Sequence, residues 1–256
     1  MNLATASRSA WRGLILPGMC AALGIAFMMW LGFWQLDRLA WKQGILRRID
    51  GRIHAAPVAP PPESAWAGFR AEDEDYRHVT ASGHFLHADE ALVFRASGNG
   101  RPGFDGPGYL VLTPLVLAGG EIIIVNRGFV PLARRDPASR TAGQPAGDVT
   151  ITGLLRPTEP RNAFTPVDNP EKGEWFTRDP ALIARHFHLA RVAPFMIDAD
   201  AEPGNPGGLP LGGATVLAIP NDHFSYALTW FGLACSLAGV FAVFAWKRVR
   251  ETGGAQ

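Results

Sequence analysis

Two long apolar runs stand out from an otherwise mixed pattern, one at residues 13–36 and one at residues 223–246, and neither contains an Asp, Glu, Lys or Arg. A helix that crosses a bilayer needs roughly 20 mostly apolar residues, so each run predicts a membrane span. The second run has a clear start. Pro220 precedes it, and Asn221 and Asp222 offer side-chain oxygens to the free N–H groups of a first turn. His223 then falls in that first turn, with Tyr226 and Trp230 three and seven residues on, along the same helical face.

Between the runs the period shortens. Strand-length segments punctuated by Gly and Pro appear at Tyr76–Thr80 with Gly83-His84-Phe85, at Ala91–Arg95, Gly108–Leu115, Glu121–Val125, Val149–Leu155, Glu174–Thr177, Pro194–Asp198 and Thr215–Ile219. So many short strands predict a mainly antiparallel β domain, barrel- or sandwich-like, rather than a βαβ sheet. One short helix interrupts them, with Asp179 as cap, Pro180 as first residue and Ala181–His188 as body. Ala55–Pro62 is rich in Pro and Ala and reads as a stiff extended linker. Glu72-Asp73-Glu74-Asp75 reads as a solvated turn. The chain thus divides into an N-terminus (1–12), a first transmembrane helix (13–36), an extracytoplasmic region with linker and β domain (37–222), a second transmembrane helix (223–246) and a C-terminus (247–256).

Charge sets the orientation. Lys247, Arg248 and Arg250 follow the second run, and no Lys or Arg occurs between Val192 and that run. The positive-inside rule therefore places both termini in the cytoplasm and the middle domain outside, in a periplasm or an intermembrane space. The first run is too long for the apolar region of a signal peptide and is read as uncleaved. A formal net charge of +1 shows no nucleic-acid footprint. The two cysteines, Cys20 and Cys235, fall one in each run, so the middle region has neither a disulfide nor a Cys-based metal site.

Few residues carry chemistry. Gly98-x-Gly100 lacks a following helix and is a loop. His84/His87 and His186/His188 lack a third and fourth metal ligand. Asp168, Glu174 and Asp179 are explained by turn and cap roles. At the exit of the first run, Trp34, Arg38 and Trp41 share a helical face. They form either an aromatic belt with a snorkelling cation or a docking face for a partner helix or an acidic cofactor group. His223 likewise has two readings: a half-solvated residue at a helix start, or an axial haem ligand through its neutral imidazole.

The order of motifs resembles the surfeit-locus-1 family of cytochrome c oxidase assembly proteins, in its bacterial form. The resemblance runs through Gly32-Phe33-Trp34-Gln35-Leu36-Asp37-Arg38-Leu39-Ala40-Trp41-Lys42, Tyr76-Arg77-His78-Val79 with Gly83-His84-Phe85, and Val125-Asn126-Arg127-Gly128-Phe129-Val130-Pro131. It continues with Gly153-Leu154-Leu155-Arg156 ahead of Glu159, and Asp168-Asn169-Pro170 ahead of Trp175-Phe176 and Asp179. It closes with Asn221-Asp222-His223-Phe224-Ser225-Tyr226-Ala227-Leu228-Thr229-Trp230-Phe231. Three positions depart from the family pattern. Asp222 stands where Asn is usual, Phe129 where Trp is usual, and Phe176 where Tyr is usual. The first puts an additional carboxylate beside His223.

The resemblance implies a non-enzymatic assembly factor of the inner membrane that binds haem a and assists its delivery to the catalytic subunit of the oxidase. His223 would ligate the iron, Tyr226 and Trp230 would flank the macrocycle, and Arg38 between Trp34 and Trp41, with Lys42, would meet the propionates. The expected partners are that subunit, haem a synthase and the lipid bilayer. Two rivals stay open: a haem-free scaffold that steadies the oxidase subunit or the synthase, and a membrane-anchored enzyme, for which no nucleophile–base set can be assembled.

Overall fold

A computed structural model describes residues 3–96, 105–201, 204–213, 215 and 221–253, with side chains from Leu14 to Glu251 within those ranges. In chain order the elements are α1 (Leu3–Ile53), α2 (Ala71–Glu74), β1 (His78–Phe85), β2 (Ala91–Arg95), β3 (Gly108–Leu117), β4 (Ile122–Pro131), β5 (Asp148–Pro157), α3 (Pro180–His186), β6 (Val192–Ala199) and α4 (His223–Gly253). They fall into two compact units. One is Met1–Arg48 with Ala218–Gln256, and the other is Ile49–Leu217.

The helical unit contains both apolar runs. α1 does not end where the first run ends: it continues to Ile53, because no proline follows until Pro57 and the residues after Leu36 include good helix formers. Helices α1 and α4 pair through a seam of small and apolar residues. On α1 the half-buried or buried positions Leu14, Gly18, Ala21, Ile25, Met28, Gly32 and Gln35 recur in steps of four and three. On α4 His223, Ala227, Trp230, Ala234, Leu237 and Phe241 do the same. The helices run antiparallel, since Gly18 faces Phe241, Gly24 faces Leu237 and Gly32 faces Phe231. Small residues let membrane helices approach closely where lipid supplies no hydrophobic drive. A Cβ at Gly32 would run into the Phe231 ring. Only 11% of the most apolar window of each helix is buried, and Ile15, Leu16, Leu23, Phe27, Leu228 and Val240 are exposed. Both helices are thus long and apolar enough to cross a membrane, with flanks suited to lipid.

The second unit is a closed barrel. Its strands follow the order β1-β5-β6-β4-β3-β2, and β1 also pairs with β3, so five strands form the ring. Strand β3 shares one edge: Gly108–Leu112 pairs with β2, and Leu115–Leu117 pairs with β1. Every ladder is antiparallel except β4 with β6. One core cluster draws on all five ring strands, through Val79, Leu115, Ile123, Leu155 and Phe195 among others, and is the barrel interior. Trp66 and Phe69 cover it through edge and tilted contacts with Phe195. A second cluster lies on the outer face of β2, β3, β4 and β6, beneath α3 and Trp175.

A bulge in β4 re-aims the strand. Val111 pairs with Gly128 and Leu112 with Asn126, which leaves Arg127 as the extra residue. Ile122, Ile124 and Phe129 therefore share the outer cluster although their spacing changes parity between them. Arg127 turns inward, 1% exposed, with its guanidinium carbon 4.7 Å above the Phe85 ring. Burial lowers its pKa to about 10. Gly128 adopts φ 122°, and a Cβ there would meet the Leu211 carbonyl.

Several expectations shift. The two pieces of the first strand are one strand, β1, and the fourth strand runs on from Val125 to Pro131 through the bulge. Glu174–Thr177 makes only isolated bridges, Val93 with Trp175 and Asn169 with Glu174. A ladder cannot extend there because the Asp168 carboxylate takes the backbone N–H groups of Phe176 and Thr177. The short helix ends at His186, and His188 takes φ 55°. The Pro-rich stretch is extended as expected but tied down: Val58 bridges Val79 in parallel, and the Thr80 N–H donates to the Val58 carbonyl at 2.9 Å. Asp75 is not a solvated residue of the acidic run, since it lies 3.2 Å from Arg156 and is partly buried. The expected 97–103 loop, and Thr215–Ile219 apart from Thr215, lie outside the described residues.

Candidate functional site

The first turn of α4 and the seam of α1 together build the site. His223 is half-buried, and its Nδ1 lies 2.7 Å from Oε1 of Gln35. An amide oxygen accepts only, so with Oε1 facing the ring Nδ1 carries the hydrogen, and in the neutral imidazole the lone pair then lies on Nε2. No described residue hydrogen-bonds to Nε2. A recess of about 240 Å³ opens here, lined by Gln35, Lys42, Asp222, His223 and Tyr226. It mixes a cation, a carboxylate, an amide, an imidazole and a phenol at one end of a helix pair whose remaining seam is mostly apolar.

The expected residues separate into two groups. His223 and Tyr226 line the recess, and Trp230 lies one turn further along the α4 seam. Trp34, Arg38 and Trp41 form a sandwich on α1, with the guanidinium carbon 5.6 and 5.4 Å from the two ring centroids. Trp34 is 42% and Trp41 59% exposed. At 3.6 residues per turn this stripe lies roughly a quarter of a turn from the seam that carries Gln35 and Lys42. The α1 side chains that meet the first turn of α4 are therefore Gln35 and Lys42, not the Trp-Arg-Trp stripe. Gln35 was missed as a site residue because it reads as one polar residue at a span exit. The available signal was its place as the next step of the seam after Gly32.

The barrel unit holds a polar network of its own. Asp198 is 2% exposed and accepts from Arg178, from Asn126 Nδ2 at 2.8 Å and from Thr215 Oγ1 at 2.6 Å. Glu159 accepts from Arg95 at 2.7 Å and from Arg178 at 3.2 Å. Burial raises the pKa of both carboxyls, but the arginines and hydrogen bonds outweigh it and lower them. A groove of about 420 Å³ beside Phe94, Glu159, Phe164 and Phe176 is larger than the recess at His223. Among the described residues its charged groups are Arg95 and Glu159, which pair with each other, Glu159 also accepting from Arg178. Asp168 accepts from Thr177 Oγ1 at 2.6 Å, and Asp179 caps α3 by accepting from Ala181 and Leu182 N–H. Among the described residues no three His, Cys, Asp or Glu side chains gather as a metal cluster.

The fold and site define a class: a protein with a closed β-barrel joined to two membrane-length helices, with an imidazole nitrogen open at one end of the helix pair. Residues 22–235 match the model of the SURF1 family. A SURF1-like protein of Monosiga brevicollis is 35% identical over 230 residues, 88% of this chain and 84% of that protein. Surfeit locus protein 1 of Rattus norvegicus is 34% identical over 236 residues, 88% of this chain and 73% of the other. The Homo sapiens protein of the same name is 33% identical over 217 residues, 80% and 70% respectively. The chain belongs to the SURF1 family.

Proposed function

We propose that this protein is a non-enzymatic assembly factor for cytochrome c oxidase that holds haem a at His223 and passes it to the catalytic subunit. Membership of the SURF1 family supports the assembly role. The observation that carries the cofactor reading is the open Nε2 of His223 at the edge of an amphipathic recess. The donor chemistry fits the group. A neutral imidazole with its other nitrogen hydrogen-bonded is the usual form of a haem-ligating histidine. Haem a, when bound, supplies the iron centre that the finished oxidase uses. This chain's residues would only bind and orient it: His223 at the iron, Tyr226 beside the ring, and Lys42 as a cation for an acidic edge. The recess is smaller than a porphyrin, so most of the macrocycle would rest against lipid and the helix flanks.

The same reading places the protein in a bacterial inner membrane, with both termini cytoplasmic and the barrel periplasmic, on the basic cluster after α4. Its partners would be the oxidase catalytic subunit and haem a synthase. The test is the visible spectrum of the protein purified from a host that makes haem a. A Soret band lost in His223→Ala is expected. Full haem with an unchanged spectrum in that variant would move the ligand elsewhere and favour a haem-free scaffold.

A further inference from the structure

We propose that Gln35 is a positioning residue that fixes His223 in the Nδ1–H tautomer, so that Nε2 faces the recess as a ready ligand. This rests on the reading of His223 as the iron ligand. Three observations carry it. The first is the 2.7 Å contact between His223 Nδ1 and Gln35 Oε1, which joins the two helices of one compact unit. The second is position. Gln35 occupies the next seam step after Ile25, Met28 and Gly32, where the pattern calls for a small or apolar residue. A polar amide at the edge of a bilayer is costly unless it is paired, and here its oxygen is spent on a single ring nitrogen. The third is the identity of the recess lining. Gln35 and His223 share it with Lys42, Asp222 and Tyr226, so the imidazole has other polar neighbours, and its orientation needs a device to set it.

The chemistry follows from the two ring nitrogens being distinct. A neutral imidazole has one N–H and one lone pair, and the hydrogen bond made by one nitrogen decides which role is left to the other. A neutral amide sets the tautomer without adding a charge that would favour imidazolium. Outer partners of this kind typically change metal affinity by about 10- to 100-fold when removed.

The experiment uses the full chain in detergent. Gln35→Met keeps the volume of the side chain in the seam and removes the acceptor. Gln35→Glu keeps an acceptor. Histidine-selective ¹⁵N NMR of the haem-free protein above neutral pH reads the tautomer, with His223→Ala assigning the signal. The expected result is Nδ1–H in the parent chain and in Gln35→Glu, and a change towards Nε2–H in Gln35→Met. Titration with haemin, read at the Soret band, should show binding weakened about tenfold or more in Gln35→Met and largely kept in Gln35→Glu. A purely structural Gln35 would leave the tautomer of any folded variant unmoved. Unchanged tautomer and haemin binding in Gln35→Met, with binding lost in His223→Ala, would overturn the role of Gln35 and leave the ligand standing. Binding unchanged in His223→Ala would overturn the ligand itself and this inference with it.

Discussion

Arg178 grips Asp198 end-on, with Nη1 3.0 Å from Oδ1 and 2.9 Å from Oδ2 of a carboxylate that is 2% exposed. Asp198 lies on β6, and Arg178 immediately precedes the cap of α3, so the pair ties the segment that covers the barrel to the barrel wall. Removing one partner leaves a buried charge uncompensated. Arg178→Ala should destabilise the barrel by roughly 3–5 kcal/mol, read as the shift in denaturant midpoint of the detergent-solubilised chain. The Asp198 carboxyl has its pKa lowered: burial pushes it up, but Arg178, Thr215 and Asn126 more than offset this. Its contribution is therefore present above the unfolded carboxylate value, about 3.9, and is lost as pH falls through the lower folded value. An unfolding midpoint that does not move on acidification into that range would assign the pair no net stabilisation.

Gly128 supports a second test. It follows the extra residue of the β4 bulge at φ 122°, and a Cβ would strike the Leu211 carbonyl. Leu211 and Phe129 exchange both backbone hydrogen bonds, at 2.9 and 2.8 Å. Gly128→Ala should cost at least about 1–3 kcal/mol, from overpacking and an unfavourable backbone conformation together. Gly147 takes φ 82° with open space around it, so Gly147→Ala isolates the conformational part. Equal thermal midpoints for the two variants would show that the carbonyl contact is irrelevant.

The two spans, most strands and the α3 cap were legible because they depend on local pattern: apolar length, alternation bounded by Gly and Pro, and Asp-Pro at a helix start. The closure of the ring was not legible. It rests on β3 dividing one edge between β1 and β2, a pairing between strands far apart in sequence. The bulge was hidden for a related reason. Asn126 and Arg127 look like the polar end of a strand, whereas one bonds Asp198 and the other turns inward over Phe85. At the site, His223 was legible from the helix start. Gln35 was not, because its importance comes from which α1 face meets α4. The Trp34-Arg38-Trp41 stripe was correctly placed on one face, but single-helix spacing does not say whether that face or its neighbour meets the other helix.

His78 is a pH-dependent tie. Its Nδ1 and Nε2 each lie 2.9 Å from an acceptor, the Ala55 carbonyl and Asp200 Oδ2. Both nitrogens can donate only in the imidazolium form. Burial works against that charge, but the Asp200 hydrogen bond, the Ala55 carbonyl and the Asp200 charge outweigh it and raise the pKa. The contribution is thus fully present below the unfolded value of about 6.5 and is lost as pH rises through the raised folded value. With both partners partly exposed its size should be ~1 kcal/mol. The thermal midpoint should fall as pH is raised from about 6 to about 8, and His78→Leu should flatten that slope. A parent chain whose midpoint is level over this range would rule the tie out.

The last prediction concerns Arg38. Its guanidinium sits between Trp34 and Trp41 on an exposed flank of α1, away from the seam that meets α4. Exposed cation–π contacts are worth roughly 0.5–1 kcal/mol each, so replacing Arg38 should change the stability of this chain little. That separates folding from partner contact. Arg38→Glu should leave the amount of protein in the membrane and its thermal midpoint nearly unchanged while oxidase activity in the host falls. Arg38→Lys keeps the charge but loses the planar stacking, and should show an intermediate loss. If the stripe is only an aromatic belt, Arg38→Glu will assemble the oxidase as well as the parent does. If it is a docking face for a partner helix or for an acidic cofactor edge, the loss will appear without any change in the fold. Retained haem binding in Arg38→Glu with lost oxidase activity would then point to the partner helix rather than the cofactor.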